Sequence, residues 1–288
     1  MTLSEARTQF INFLKERHRS SATILAYGKD IEQLVDFLAS QGVTDVAQVQ
    51  TEKLQDFMNK LAKENYTLKS VSRKTNSTKT FFRFLKANGV VQVDPAQALT
   101  HPIFETKPPR ILTKMEYRAL RDSARGDIRM SAVIELLLQT GVRIGELAKI
   151  NVDDLSLKGE SPTLYIRPEE GSTERTIPLN KAVTEALTRY LEIRPKTQFK
   201  TLFVTKTGRP LLVRNIRTAI DRYFRLASVK GAKVNDLRHT WVAHQLESGL
   251  SLTLVAKLAG HKRVSTTEKY LQFIPSRSSE EKIKLEEL

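Results

Sequence analysis

The sequence predicts a mainly α-helical protein of two domains, the second holding a small β-hairpin or sheet, and three observations predict it. Apolar residues recur at three-to-four spacing through the first hundred residues, Pro102, Pro108 and Pro109 interrupt the helical pattern, and only the region from Thr163 to Leu179 alternates as strands do. The 288-residue chain has room for two cores, and a hydrophobic content of 40% can fill them.

The elements follow in order. Thr2-x-x-Glu5 is a capping-box pattern opening a helix over about 2 to 17, so the mixed stretch Met1 to Phe10 starts a folded domain rather than a signal peptide. Helices are also expected at about 20 to 40, 51 to 64 and 68 to 87, with Phe10, Phe13 and Leu14, then Ile24, Tyr27, Ile31, Leu34, Phe37 and Leu38 facing one shared core. A first domain over 1–100 gives way to a linker over 101–112, where the prolines forbid helix. Thr113-x-x-Glu116 caps the first helix of a second domain over 113–274, and the apolar run Val133 to Leu138 predicts a buried helix ending before Gly141. Thr163 to Arg167 and Arg175 to Leu179 read as two strands. Ser248-Gly249 closes one helix, Ser251 to about Leu258 forms the next, and Gly260 caps it in a left-handed conformation. Ser265-x-x-Glu268 is a capping-box pattern expected to start a short helix with Tyr270 on its second turn. The tail 275–288 is charged, with a thin stripe of Ile283, Leu285 and Leu288.

Charge narrows the function. A formal net charge of +15 and a pI near 9.9 point to a polyanionic partner, and without a long apolar run or an isolated basic amphipathic segment that partner is nucleic acid rather than membrane. From Tyr66 to Gly89 there are six Lys or Arg and no acid; between Arg194 and Arg238 there are twelve against Asp221 and Asp236. Two acid-poor stretches suggest two surfaces for one duplex. In the first, Arg73, Lys74, Thr75, Asn76 and Lys79 are expected to meet DNA, with cations and hydroxyls toward phosphates and Asn76 toward a base edge; in the second, Arg214 and Arg217 are the candidates. The chain has no cysteine, which excludes disulfides and thiolate metal sites, and its five histidines show no metal-ligand spacing. No metal or other cofactor is expected, and a reducing cytoplasm suits the composition.

Four residues carry the chemistry. Arg143 lies in Thr140-Gly141-Val142-Arg143-Ile144-Gly145-Glu146-Leu147, Arg238 in Asp236-Leu237-Arg238-His239-Thr240, and His261 and Tyr270 in Ala259-Gly260-His261 and Ser265-Thr266-Thr267-Glu268-Lys269-Tyr270. A phosphodiester under attack spreads negative charge over its non-bridging oxygens, and two planar guanidiniums match that geometry as a clamp. A tyrosine hydroxyl, with an unperturbed pKa of about 10, attacks only when positive charge or a base favours its phenolate, and Arg143, Arg238 and His261 are placed to supply that field. Glu146 reads as a brace for Arg143. Each motif alone has an ordinary explanation: an exposed i,i+3 ion pair, a helix start, a turn histidine, a core tyrosine.

Together, with nine residues from His261 to Tyr270, these motifs resemble the tyrosine recombinase (phage integrase-like) family, especially its Xer-like members. The resemblance implies a SAM-like core-binding domain followed by an α+β catalytic domain. It also implies cleavage and rejoining of double-stranded DNA at a specific site through a 3′-phosphotyrosyl intermediate, without ATP, by a homotetramer that passes through a Holliday junction. The tail would then dock on a neighbouring protomer. Two positions depart from the family pattern: Glu170 stands where the family places a hairpin lysine as general acid, and Asn235 stands where it favours His or Lys. Lys158 and Lys206 are the nearest replacements in sequence, while Arg167 holds its proton too firmly for the role. These departures leave two other readings open, a catalytically impaired site-specific DNA-binding protein and a type IB topoisomerase-like relaxing enzyme.

Overall fold

A computed structural model describes residues 1–105, 108–168 and 173–274. Backbone contacts divide the chain into two compact units, Met1–Lys107 and a second from Pro108 onward. Glu170 and the tail 275–288 lie outside the described residues, as do two residues of the expected linker.

The first unit holds α1 (Leu3–Glu16), α2 (Ser21–Ser40), α3 (Thr51–Lys63) and α4 (Leu68–Ala87). Its starts are fixed by side-chain acceptors: Thr2 with Glu5 as a full capping box, Ser20 and Thr67 each to the backbone N–H three residues on. Phe10, Leu34, Phe57, Phe81 and Phe82 fill the core, with the Phe10 and Phe81 rings edge to face at 5.3 Å. One polar cluster is buried beside them. Asp30 on α2 accepts from Lys74 Nζ at 3.0 Å and Ser77 Oγ at 3.1 Å and pairs with Arg73, while Lys74 also reaches Gln33 Oε1 at 2.6 Å. Thr75, fully buried, donates back to the Val71 carbonyl at 3.0 Å. The expectation that Lys74 and Thr75 face DNA is therefore corrected: the ammonium of Lys74 neutralises a buried carboxylate, and Thr75 has no exposed surface. Arg73 and Asn76 remain exposed and Lys79 is half-buried.

The second unit runs α5 (Lys114–Ser123), α6 (Ile128–Thr140), α7 (Ile144–Leu147), β1 (Leu155–Ser156), β2 (Thr163–Ile166), β3 (Arg175–Pro178), α8 (Lys181–Ile193), α9 (Val213–Leu226), α10 (Val234–Glu247), α11 (Leu252–Ala259) and α12 (Ser265–Glu268). The apolar run of α6 is buried against α8 and α10, so this helix is the axis of the unit. The strands form an antiparallel sheet in the order β1-β2-β3, with Ile166 opposite Arg175. Strand β1 lacks an alternating signal because it is two residues long. Among the described residues, no helix is long and apolar enough to cross a membrane.

Candidate active site

Helix α6 ends because Gly141 takes a left-handed conformation, φ +61°, and its N–H caps the Leu137 carbonyl at 3.1 Å. The glycine is required twice over, since a Cβ there would meet the Trp241 ring at 2.3 Å. The turn places Arg143 at the N-cap of α7, and Arg238, from the first turns of α10, donates to the Gly141 carbonyl at 2.6 Å. Arg143 and Arg238 thus converge on one turn from two helices.

Glu146 joins this arrangement from below. Its carboxylate accepts from the Arg143 backbone N–H at 2.8 Å and from Arg143 Nη1 at 3.0 Å. It also takes two bonds from Arg175, Nη1 to Oε1 at 3.0 Å and Nη2 to Oε2 at 2.8 Å. Arg175 was not among the residues expected at the site. The signal was available: Arg175 shares its strand face with Ile177, and a charge in register with a core residue needs a buried partner. The two arginines differ in exposure, with the Arg175 side chain 1% exposed and that of Arg143 36%, so Arg175 supports and Arg143 presents. Both tie down the end of α11: Arg175 Nε donates to the Leu258 carbonyl at 2.8 Å and Arg143 Nη2 to the Gly260 carbonyl at 2.7 Å. Gly260, left-handed at φ +67°, leaves no room for a side chain, because a Cβ would stand 2.8 Å from Arg175 Nη1.

His261 follows on this turn, its Nδ1 2.8 Å from Thr267 Oγ1. Burial, and then the charges of Arg238 and Arg143, push its pKa down to about 4. A neutral imidazole at physiological pH adds a hydrogen bond rather than charge, so the positive field expected from three groups comes from the arginines. Tyr270 is buried, 5% exposed, and burial raises its pKa against the lowering pull of Arg238. Its hydroxyl is 2.5 Å from Nδ1 of His239, whose Nε2 is 2.8 Å from Nδ2 of Asn235. His239 was also missed, because adjacency to Arg238 in sequence says nothing of a tyrosine 31 residues away. Tyr270 does not ride on a second helical turn: α12 is one turn with Ser265 inside it, Val264 supplies no side-chain cap, and Tyr270 begins a 3₁₀ turn over Leu271–Phe273.

Arg238 has the most unusual environment. Its side chain is buried, its Nη2 has no hydrogen-bond partner among the described residues, and its pKa falls to about 10, first through burial and then through Arg143. It remains charged at neutral pH. A cationic donor held without an acceptor suits an incoming anion, since pairing would remove a desolvation cost already incurred on folding. A cavity of about 540 Å³ is lined by Arg238, Asn235, Lys233, Arg217, Val142 and Ile144 among others. Arg217 and Arg214 are exposed on α9. Lys158 and Lys206 lie exposed outside helices and strands, and neither bonds to the cluster among the described residues.

The sequence model of the phage integrase family matches residues 110–276, and that of the phage integrase N-terminal SAM-like domain matches residues 8–89. Tyrosine recombinase XerC of Staphylococcus carnosus is 30% identical over 277 residues, 93% of this chain and 92% of the relative. Tyrosine recombinase XerD of Staphylococcus aureus is 29% identical over 279 residues, 93% of each. The fold is similar to that of a lambda integrase tetramer bound to a Holliday junction, with a TM-score of 0.74 at 20% identity, covering 92% of this chain and 79% of that one.

Proposed function

The chain belongs to the phage integrase family, and we propose that Tyr270 is the nucleophile with which it cuts DNA. It is a tyrosine-type site-specific recombinase, a DNA strand transferase; the readings as an impaired binding protein or a relaxing enzyme are not favoured by its relatives. Arg143 and Arg238 hold the scissile phosphate between them, and the free Nη2 of Arg238 takes one non-bridging oxygen. His261 adds a hydrogen bond as a neutral imidazole. Glu146 keeps the Arg143 fork in place, and Arg175 keeps Glu146 in place. Attack by Tyr270 yields a 3′-phosphotyrosine and a free 5′ hydroxyl, and a second strand's 5′ hydroxyl reverses the step on a new partner. The phosphodiester energy is conserved in the protein–DNA bond, so no nucleotide triphosphate enters.

Residues 1–100 serve as the core-binding domain and 113–274 as the catalytic domain. Arg73, Asn76 and Lys79 in the first, and Arg214 and Arg217 in the second, contact the duplex. The lambda integrase tetramer on a Holliday junction supports the same assembly on DNA here, and action on DNA in the cytoplasm accords with the cysteine-free composition.

The observation that carries this reading is the buried, unpaired Nη2 of Arg238 in one cluster with Arg143, His261 and Tyr270. It is tested by selecting bound duplexes from a random library, building a nicked suicide substrate on the selected site, and looking for a covalent adduct. Wild-type protein forms the adduct and Tyr270→Phe does not. A normal adduct yield from Tyr270→Phe would overturn the assignment.

A further inference from the structure

Tyr270 needs to lose a proton, and its environment resists that. Burial favours the neutral phenol, and the charge of Arg238 offsets this only in part. Two imidazoles flank the ring, but their contacts differ. His261 lies 6.3 Å away between ring centroids with its Nδ1 engaged by Thr267, whereas His239 places Nδ1 2.5 Å from the Tyr270 hydroxyl. The other nitrogen of His239 meets Asn235 one turn earlier on α10, at i,i+4 spacing.

Resting on the assignment of Tyr270 as nucleophile, we propose that His239 is the general base that takes the Tyr270 proton, and that Asn235 holds His239 in the competent tautomer. Asn235 stands with Nδ2 2.8 Å from His239 Nε2, and a half-turn of this amide puts Oδ1 in the same place to accept Nε2–H, which leaves the Nδ1 lone pair for the phenol hydrogen. The Oη–H proton moves to Nδ1, Oη bonds to phosphorus, and the bond from phosphorus to the 5′ oxygen breaks with its electron pair on that oxygen, which takes a proton from water. On rejoining, the imidazolium returns its proton to Oη as the phosphotyrosine bond breaks. The groups facing His239 are Asp236, whose charge favours the imidazolium, Arg238, which opposes it, Tyr270, His261 and the Asn235 amide. A cationic side chain at 235 would repel the imidazolium; an amide oxygen stabilises it. Burial first lowers the His239 pKa below its ordinary value, which favours the neutral imidazole that a base must be.

The test is single-turnover adduct formation on the nicked suicide substrate across pH, with duplex affinity measured in parallel. His239→Gln should bind DNA as wild type does but cleave on the order of 10²-fold more slowly at neutral pH, with a rate that climbs into the alkaline range as the phenol ionises on its own. His239→Ala should be partly rescued by added imidazole. Asn235→Asp, a positioning change, should shift the acid limb of the profile upward, because a carboxylate raises the His239 pKa. Cleavage by His239→Gln within twofold of wild type with the same profile would overturn the proposal and leave Tyr270 standing. If His239→Gln loses DNA binding, Asn235→Asp decides, and an unmoved acid limb overturns the role of His239. No adduct from wild-type protein would overturn the Tyr270 assignment and this proposal together.

Discussion

Arg175 and Glu146 face each other as a bidentate pair, Nη1 to Oε1 at 3.0 Å and Nη2 to Oε2 at 2.8 Å, with side chains only 1% and 7% exposed. The pair lies beside Arg143 and connects the sheet, the turn after α6 and the end of α11. A carboxylate so held cannot swing, and Arg143, resting on the same carboxylate, inherits that rigidity.

Removing Arg175 takes a bidentate partner from a buried carboxylate that keeps only its bonds to Arg143 among those described above. Arg175→Ala should therefore destabilise the protein by roughly 1.5–3 kcal/mol. Urea unfolding measures this; a loss within about 0.5 kcal/mol, the range of an ordinary surface change, would mean that the pair is not buried in solution.

The clamp arginines should act mainly on the transition state. Arg143→Ala and Arg238→Ala are each expected to slow adduct formation by on the order of 10²-fold or more, with a smaller loss of affinity. Parallel measurement of cleavage rate and duplex binding separates the two effects. Equal losses in both would make these residues ordinary phosphate anchors.

Salt dependence should separate buried from exposed cations. Replacing Arg214 and Arg217 together by Ala should reduce the slope of log affinity against log salt by up to about two units if both touch phosphate. Lys74→Ala should leave the slope unchanged and lower stability instead, because it strips a partner from buried Asp30. Fluorescence anisotropy titrations across salt concentrations test both expectations.

Acid should weaken the fold through His261. The unfolded chain takes up a proton there near the ordinary value of 6.5, while the folded protein resists until about 4. The unfolded state thus binds more protons over that window, and stability falls as pH drops through it. His261→Gln should flatten this fall, as read from urea midpoints at several pH values. An unchanged pH dependence in the variant would show that His261 does not stay neutral in the fold.

Much of this was legible in sequence where the cause is local. The starts of α1 and α5 follow from Thr2 and Thr113, and the turns at Gly141 and Gly260 from glycine's freedom at positive φ. Arg143, Arg238, His261 and Tyr270 could be named from their motifs, and the structure gathers them. What the sequence hid depends on distant partners. Lys74 looks like a DNA contact until Asp30, 44 residues earlier, is seen to bury it. Arg175 looks like an ordinary strand residue until Glu146, 29 positions before, is seen beneath it. Ser265 fails as a cap because Val264 before it already has helical backbone angles, φ −60° and ψ −35°, so Ser265 lies inside the turn.

The chain holds seven tyrosines, and the proposed reaction uses the hydroxyl of one of them. The most direct measurement is to trap the adduct on the suicide substrate, digest it with protease and nuclease, and locate the nucleotide-bearing residue by mass spectrometry. A 3′-phosphotyrosyl linkage at Tyr270 is expected. A linkage at another residue, or a 5′-phosphate linkage at Tyr270, would contradict it.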